Sequence, residues 1–464
     1  MAVTQKKDKG IRGFMMKKGW AGYLVLSLAG GAQAQSLDDA VTQAIMENPI
    51  TRTEVARYEQ FRDDARAQRG AWLPSVDLEA RAGRGSNESE VNGLDRSSDP
   101  HSYRRGSITL SQLIWDNNRT LERVRNADSQ VDYQRWEVAA AANRVGLATV
   151  ETYLDVLQTQ RLIELAERNV DTHQRIAADI RRRSELGAGT ATDASQVDGR
   201  LARAQSSLIA AYNNREDAIS SFVRLVGEPP RDLALPEAVD LAPVPDGLDQ
   251  ALAMANEQNP ILMAARHSVT AAGHEVGAER ADFLPELRFQ ASRLASRDYD
   301  FEGSDSDDWN AGLVMSWNLY RGGIDSAELR ARQHSLEAVQ YDSDRALREV
   351  RDELRLAWNA RDYVTSQLPY LARHMSASEQ TRVNYRKQFD IGRRTLLDVL
   401  DSETELYSAQ QDQLQARFAL IRAQYRLLAV TGNLLDTLQI RIDLDDVDGD
   451  ELLEVSAAGQ GVGS

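Results

Sequence analysis

The side chains with the most chemical promise in this chain are three aspartates and an arginine, gathered in two short polar stretches. Glu185–Asp193 reads ELGAGTATD and contains Asp193; Phe389–Asp401 reads FDIGRRTLLDVLD and contains Arg394, Asp398 and Asp401. Carboxylates in the first turn of a helix face the positive end of its dipole, so a capping role fits all three aspartates. Asp398 and Asp401 also lie one turn apart, which puts two negative charges on one helix face. Other chemistry lacks its residues. The six histidines show no H-E-x-x-H or comparable ligand spacing, and His267 and His274 share a helix face without carboxylates to complete a metal site. Gly187-Ala188-Gly189-Thr190 has neither the preceding strand nor the lysine of a phosphate loop. Asp298-x-Asp300-x-Glu302-Gly303 opens like a calcium loop, but its twelfth position is Trp309, not a bidentate glutamate, so an acidic surface loop fits better. No G-x-S-x-G elbow or paired-carboxylate cleft stands out, so catalysis and a cofactor are not expected.

The elements that position these residues are long helices. Aromatics make up only 6% of the 464 residues and the mean hydropathy is −0.49, a mix that favours extended helices in shallow contact. The net charge of −16 argues against a nucleic-acid partner, which requires a basic face. The absence of cysteine excludes disulfides, thiolate metal sites, cysteine nucleophiles and a lipid-modified N-terminal cysteine. Lysines and arginines precede the apolar run Trp20–Ala29, which ends in Ala32-Gln33-Ala34; residues 1–34 therefore read as a secretory signal peptide. That apolar run is too short to span a bilayer.

The chain is built twice from one unit. Leu37-Asp38-Asp39-Ala40 and Asn48-Pro49-Ile50 return as Leu248-Asp249-Gln250-Ala251 and Asn259-Pro260-Ile261, 211 residues later. Trp72-Leu73-Pro74 returns as Phe283-Leu284-Pro285, and the two polar stretches match at an offset of 205: Gly187 with Gly392, Thr190 with Thr395, Asp193 with Asp398. Internal duplication outranks other sequence signals for architecture. The first repeat spans 35–227, with strands expected at about 75–86 and 104–115 and a hairpin apex at 186–190. A Pro-rich linker covers 228–245. The second repeat spans 246–432, with strands at about 286–297 and 309–320 and an apex at 389–395. The tail, 433–464, is acidic and reads as disordered. Between strand pair and apex, runs of roughly 65 residues, interrupted only by Pro369, would extend about 100 Å as helices. Their apolar residues fall at heptad-like spacing (Leu147, Val150, Leu154, Leu157), which lets neighbouring helices interlock.

The strands alternate apolar and polar residues over about ten positions with aromatics near the ends, which suits transmembrane β-strands. Four strands per chain cannot close a barrel, and open edges are not tolerated in lipid, so the chain must oligomerise. The physical role this implies is a conduit. The duplicated L-x-x-A, N-P-I, W/F-L-P, strand pair and G-x-x-T-x-x-D apex, over Leu37 to Gly432, resembles the TolC family of outer-membrane channel proteins. The resemblance implies a mainly helical homotrimer with transmembrane β-structure, in the outer membrane of a Gram-negative bacterium. Its twelve-stranded barrel would continue as a periplasmic α-barrel. The implied partners are a periplasmic membrane-fusion adaptor, an inner-membrane ABC exporter or proton-driven pump, and outer-membrane lipid. The missing lipid-attachment cysteine resembles the type I secretion branch, with a large exported protein such as an adhesin as cargo. Multidrug efflux is the alternative, and a periplasmic coiled-coil scaffold or adaptor without a pore is the alternative of another class.

The resemblance also implies site residues. Asp398 and Asp401 match the family's acidic pair on the pore-facing helix, so three copies of each would ring the periplasmic entrance. Arg394 matches an arginine that ties the closed entrance by contacting an aspartate of the other hairpin, here Asp193. Phe389 stands where the family often has Tyr, so one hydroxyl that could lock the gate is missing. Gly187 and Gly392, with Thr190 and Thr395, match the tips where adaptor hairpins dock. Arg394 and Asp401 have no charged counterparts in the first apex, at Gly189 and Gln196.

Overall fold

The structure of the chain, a computed structural model, describes residues 35–86, 88–91, 94–97, 99–186, 190–236, 239, 241, 243–444 and 454–457. The expected signal peptide lies outside the described residues, as does Gly187. The first repeat runs α1 (Leu37–Glu47), α2 (Pro49–Gly70), β1 (Ser75–Gly85), β2 (Glu88–Val91), β3 (Leu94–Ser97), β4 (His101–Trp115), α3 (Arg119–Glu185) and α4 (Ala191–Val226). The second runs α5 (Leu248–Gln258), α6 (Pro260–Ala281), β5 (Glu286–Arg297), β6 (Asp305–Ser316), α7 (Ile324–Asp390) and α8 (Leu396–Thr431). It is followed by α9 (Leu434–Thr437), β7 (Ile440–Asp443) and β8 (Glu454–Ala457). Among the described residues no helix is long and apolar enough to cross a membrane.

α3 and α7 are each 67 residues long, about 100 Å at 1.5 Å per residue, and each folds back on a 36-residue partner. α7 runs unbroken through Pro369, which gives up one backbone hydrogen bond on an exposed helix.

The duplicated N-P-I motif has a direct physical purpose. Asn48 caps α2 by accepting the Ile50 N–H at 3.0 Å, and its amide donates to Leu225 O at the end of α4. Asn259 repeats this, accepting Ile261 N–H at 2.9 Å and donating to Val430 O at 2.8 Å. Each buried asparagine thus ties the start of a short helix to the end of a return helix, and the proline takes the first helical position, where no N–H is needed. The return helices stop at Gly227 (φ 90°) and Gly432 (φ 86°). These junctions sit in the main core, built from α1, α5, the middle of α3 and α7 and the C-terminal ends of α4 and α8, around Tyr153, Phe222, Leu354 and Leu427. The Tyr153 hydroxyl accepts the Ala234 N–H at 3.0 Å, pinning the linker, and burial pushes its pKa up to about 12.

A Cβ at Gly432 would lie 2.5 Å from Gln258 O in a left-handed backbone. Gly432→Ala is expected to lose more than the roughly 1–2 kcal/mol that such a backbone costs an L-residue. Gly199→Ala, in open space on α4, should gain a few tenths to about 1 kcal/mol. Thermal melts by circular dichroism check both, and an unaltered Gly432→Ala midpoint would contradict this packing.

The four main strands form one antiparallel sheet in the order β1-β4-β5-β6. Register places Leu78, Ile108, Arg293 and Trp309 in one row, and Val76, Leu110, Ala291 and Ala311 in another on the same face. The intervening row, Asp77, Thr109, Ser292 and Asn310, belongs to the opposite, polar face. The helices join the sheet at one end and the β1–β4 and β5–β6 connections lie at the other. β1 and β6 each have one side unpaired within the chain.

Two expectations need correction. The strand expected at 309–320 runs Asp305–Ser316. The acidic run pairs as strand because Arg297 meets Asp305 at 3.2 Å and Arg293 grips Asp307 with two bonds at 2.9 and 2.7 Å. The loop shrinks to a tight turn, in which Gly303 N–H donates to Asp298 Oδ1 at 2.6 Å. At the other end Trp317 leaves the sheet, its indole N–H donating to Phe283 O at 3.1 Å. The tail, expected to be disordered from 433, instead buries Leu434, Leu438, Ile440 and Leu444 and pairs β7 with β8. Its apolar residues were masked in the sequence by the aspartates that follow them.

Candidate functional site at the hairpin tips

Both apices fold as capping boxes, which explains the repeated T-x-x-D. Thr190 N–H and Oγ1 bond Asp193 Oδ2 at 3.1 and 2.7 Å, and Asp193 N–H donates back to Thr190 Oγ1 at 3.1 Å. Thr395 and Asp398 repeat the arrangement at 3.0, 2.8 and 3.3 Å. The hydrogen bonds from Thr395, with a smaller contribution from the Arg394 charge, hold the Asp398 carboxyl below the usual carboxylate range. Gly392 turns the second apex at φ 73°, its N–H donating to Phe389 O at 2.9 Å, with open space on its Cα.

Arg394 and Asp193 are not brought together within the chain. Arg394 lies over the Tyr385 ring, with its Cζ 4.3 Å from the centroid, donates to Gln388 Oε1 at 3.1 Å and stands 3.8 Å from Asp398. Asp193 is committed to its own cap, so the expected Arg394–Asp193 tie is absent from the protomer.

The two hairpins are joined by other residues. On the α4–α8 side, Arg200 binds Asp401 at 2.7 Å. On the α3–α7 side, Asp179, Arg183, Arg386 and Asp390 alternate in charge: Arg386–Asp179 is 3.1 Å and Arg183–Asp390 is 3.3 Å. Between these clasps lies a small apolar cluster, separate from the main core, of Ile176, Ala177, Ile180, Val197, Leu396 and Leu400. Phe389 packs against it with Arg183 5.0 Å from its ring centroid, so the aromatic ring serves the contact without a hydroxyl. Exposed ion pairs contribute only about 0–1 kcal/mol each. Several weak clasps over a small cluster make a junction held by only a modest free energy.

Asp398 and Asp401 share one face of α8 and line a groove of about 340 Å³ with Glu405, Thr381 and Tyr385. Among the described residues no set of three or more His, Cys, Asp or Glu is arranged to hold a metal ion.

Beside the Arg200 clasp, a polar cavity of about 420 Å³ opens between α3, α4 and α8. His173 is 3% exposed there and its Nδ1 has no hydrogen-bond partner. Arg200 and Arg203 face the cavity from α4 and Tyr407 from α8. Burial, then the Arg200 charge, push the His173 pKa below its ordinary value. The unfolded chain therefore takes up a proton that the folded one resists, and stability falls as pH drops from about 6.5 toward the lowered folded value. Acidification from pH 7.5 to 5.5 should lower the melting midpoint more in the wild type than in His173→Gln. Equal losses would contradict this role of His173.

Of these features the sequence pointed to the apices, but not to Arg200, Asp179, Arg183, Arg386, Asp390 or Glu405. Arg200 lies two helical turns beyond the first apex motif, at i+7 from Asp193, and an ion-pair partner on the other hairpin leaves no local pattern.

A duplicated pair of helical hairpins hung from an open amphipathic sheet defines a membrane channel component. The chain belongs to the outer membrane efflux protein family, whose profile it matches twice, over residues 40–228 and 251–433. It is similar to the outer membrane efflux protein BepC of Brucella suis biovar 1, with 28% identity over 70% of this chain and 72% of that one. The alkaline protease secretion protein AprF of Pseudomonas aeruginosa is 26% identical over 89% of this chain and 87% of its own. In fold it resembles a membrane protein from Pseudomonas aeruginosa, with a TM-score of 0.76 at 18% identity over 85% and 90% of the two chains. The family comprises outer-membrane channels of tripartite export systems. This chain is accordingly an outer-membrane channel protein with a large periplasmic helical part.

Proposed function

We infer that the protein works as a homotrimeric exit duct for type I secretion of a large protein, coupled to a periplasmic membrane-fusion adaptor and an inner-membrane ABC exporter. The observation that carries the oligomer is the open sheet: β1 and β6 each lack a partner on one side, and unpaired edges are excluded from lipid. Three copies supply twelve strands, with polar rows lining the lumen and apolar rows facing lipid. Protein cargo is supported by the likeness to AprF over most of the chain.

The tips form the gate in this reading. Asp398, Asp401 and Glu405 supply three carboxylates per chain at the entrance. The Arg200–Asp401 and Asp179/Arg183/Arg386/Asp390 clasps hold neighbouring hairpins closed. An adaptor docking around Gly392, Thr395 and the 187–190 apex would draw the hairpins apart. Efflux of small molecules with a proton-driven pump is the second reading, supported by the likeness to BepC. Deleting the gene separates them: the first predicts loss of a large protein from the medium with unchanged drug sensitivity, and the second predicts the reverse.

A further inference from the structure

The outward face of the sheet changes character toward its loop end. Up to the row of Trp309 it is apolar apart from scattered polar positions, and an aromatic at this position marks the boundary of the lipid-facing band. Trp317, eight residues further along the chain and just past the end of β6, marks the other boundary about 27 Å away at roughly 3.4 Å per residue. Beyond Trp309, on the same face, the next two outward rows are Ala80, Gly106, Ala295, Asp307 and then Ala82, Arg104, Arg297, Asp305. These rows, with Arg81, Arg105, Ser296 and Ser306 of the row between them, line a recess of about 710 Å³. Its floor is alanine and glycine, and its walls are arginine and aspartate.

The charges of the walls are unbalanced. Asp307 is held by two bonds from Arg293, and Asp305 meets only Nε of Arg297. Arg104, exposed and directly opposite Arg297 on the neighbouring strand, has no ion pair or hydrogen bond among the described residues. Like charges directly opposed across strands are destabilising unless a counter-charge joins them. Bulk water could screen such a pair, but this one stands at the headgroup level of the outer leaflet, immediately above the apolar band.

We propose that this recess binds a phosphorylated glycolipid of the outer leaflet, with its phosphate held between Arg104 and Arg297 and its sugar over the alanine–glycine floor. Guanidinium forks suit phosphate because two parallel N–H···O bonds form at once. Continuity with the lipid-facing band lets the acyl chains run down past Trp309 without leaving the membrane. Each protomer carries one such recess across its four strands, so the lipid would belt the barrel and fix its height in the bilayer.

The test uses the full-length protein, purified in detergent and incubated with bisphosphorylated lipid A, its dephosphorylated form, or inorganic phosphate, followed by native mass spectrometry. Expected is retention of lipid A at least about tenfold stronger than of the dephosphorylated form, matching one bidentate phosphate contact. Arg104→Gln and Arg104→Gln/Arg297→Gln should each lose retention about tenfold or more. Arg104 has no ion pair or hydrogen bond among the described residues, so its single substitution does not threaten assembly. Arg288→Gln, on the lumen face and outside the recess lining, should retain lipid as the wild type does. Equal retention with and without the lipid phosphates, unchanged retention by the Arg104 variants, or displacement of lipid A by equimolar inorganic phosphate would each overturn the proposal.

Discussion

Reversing Arg200 and Arg386 to glutamate is expected to raise the ion conductance of the channel in planar bilayers several-fold. Each substitution turns a cross-hairpin attraction into a repulsion: Arg200 against Asp401, and Arg386 against Asp179. An exposed pair contributes about 0.2–1 kcal/mol, and a like-charged pair costs a similar amount. Two reversals therefore shift the closed–open balance by about 2 kcal/mol, more than tenfold in population. The contact is electrostatic and partly exposed, so the effect should shrink at high salt. Adding Asp401→Arg to Arg200→Glu restores the pair with exchanged partners and should return conductance toward the wild-type level. Conductance that ignores both the reversal and the exchange would remove these pairs from the gate.

The acidic face of α8 should have the second large effect. A trivalent cation added on the periplasmic side is expected to block wild-type current, and Asp398→Asn/Asp401→Asn should weaken that block at least about tenfold. A narrow passage lined by one sign of charge concentrates counter-ions, and three copies would place six of these carboxylates at the entrance. Asparagine is the informative replacement at Asp398. Its amide oxygen still accepts the Thr395 hydrogen bonds, so the charge is lost while the cap remains. Asp398→Ala, by contrast, also loses the cap, at about 1 kcal/mol. Unchanged block in the double asparagine variant would leave the aspartates as helix caps alone. The Thr395 hydrogen bonds depress the Asp398 pKa, so its share of the block should persist when pH falls into the ordinary carboxylate range.

Much of this architecture was legible because duplication writes itself into sequence. Asn48 and Asn259 each do the same job in the same junction, so both repeats needed the same residues at the same spacing. The helices were legible from their length and from Gly227 and Gly432 at their ends. The upper part of β6 was not, because an acidic run reads as loop until Arg293 and Arg297 on the adjacent strand are placed beside it. At the tips the capping boxes were visible as T-x-x-D, a local pattern. The Arg200–Asp401 clasp joins residues 201 positions apart on different hairpins, and the His173 cavity needs three helices to exist. Contacts of that kind arise from packing and carry no local periodicity.

The central claim is that three copies close their open sheets edge to edge, β1 of one chain against β6 of the next. The chain has no cysteine, so any disulfide reports only on introduced pairs. With Leu78→Cys fixed in β1, cysteines walked along β6 from Asp307 to Met315 should cross-link under oxidation at alternate, outward-facing positions only, giving covalent dimers and trimers on a denaturing gel. Within one chain β1 and β6 are separated by β4 and β5, about 14 Å at the usual strand spacing, beyond the roughly 7 Å reach of a disulfide. An alternating ladder that stops at the trimer is the predicted result. No cross-link at any β6 position, or one that stops at the dimer, would contradict the account.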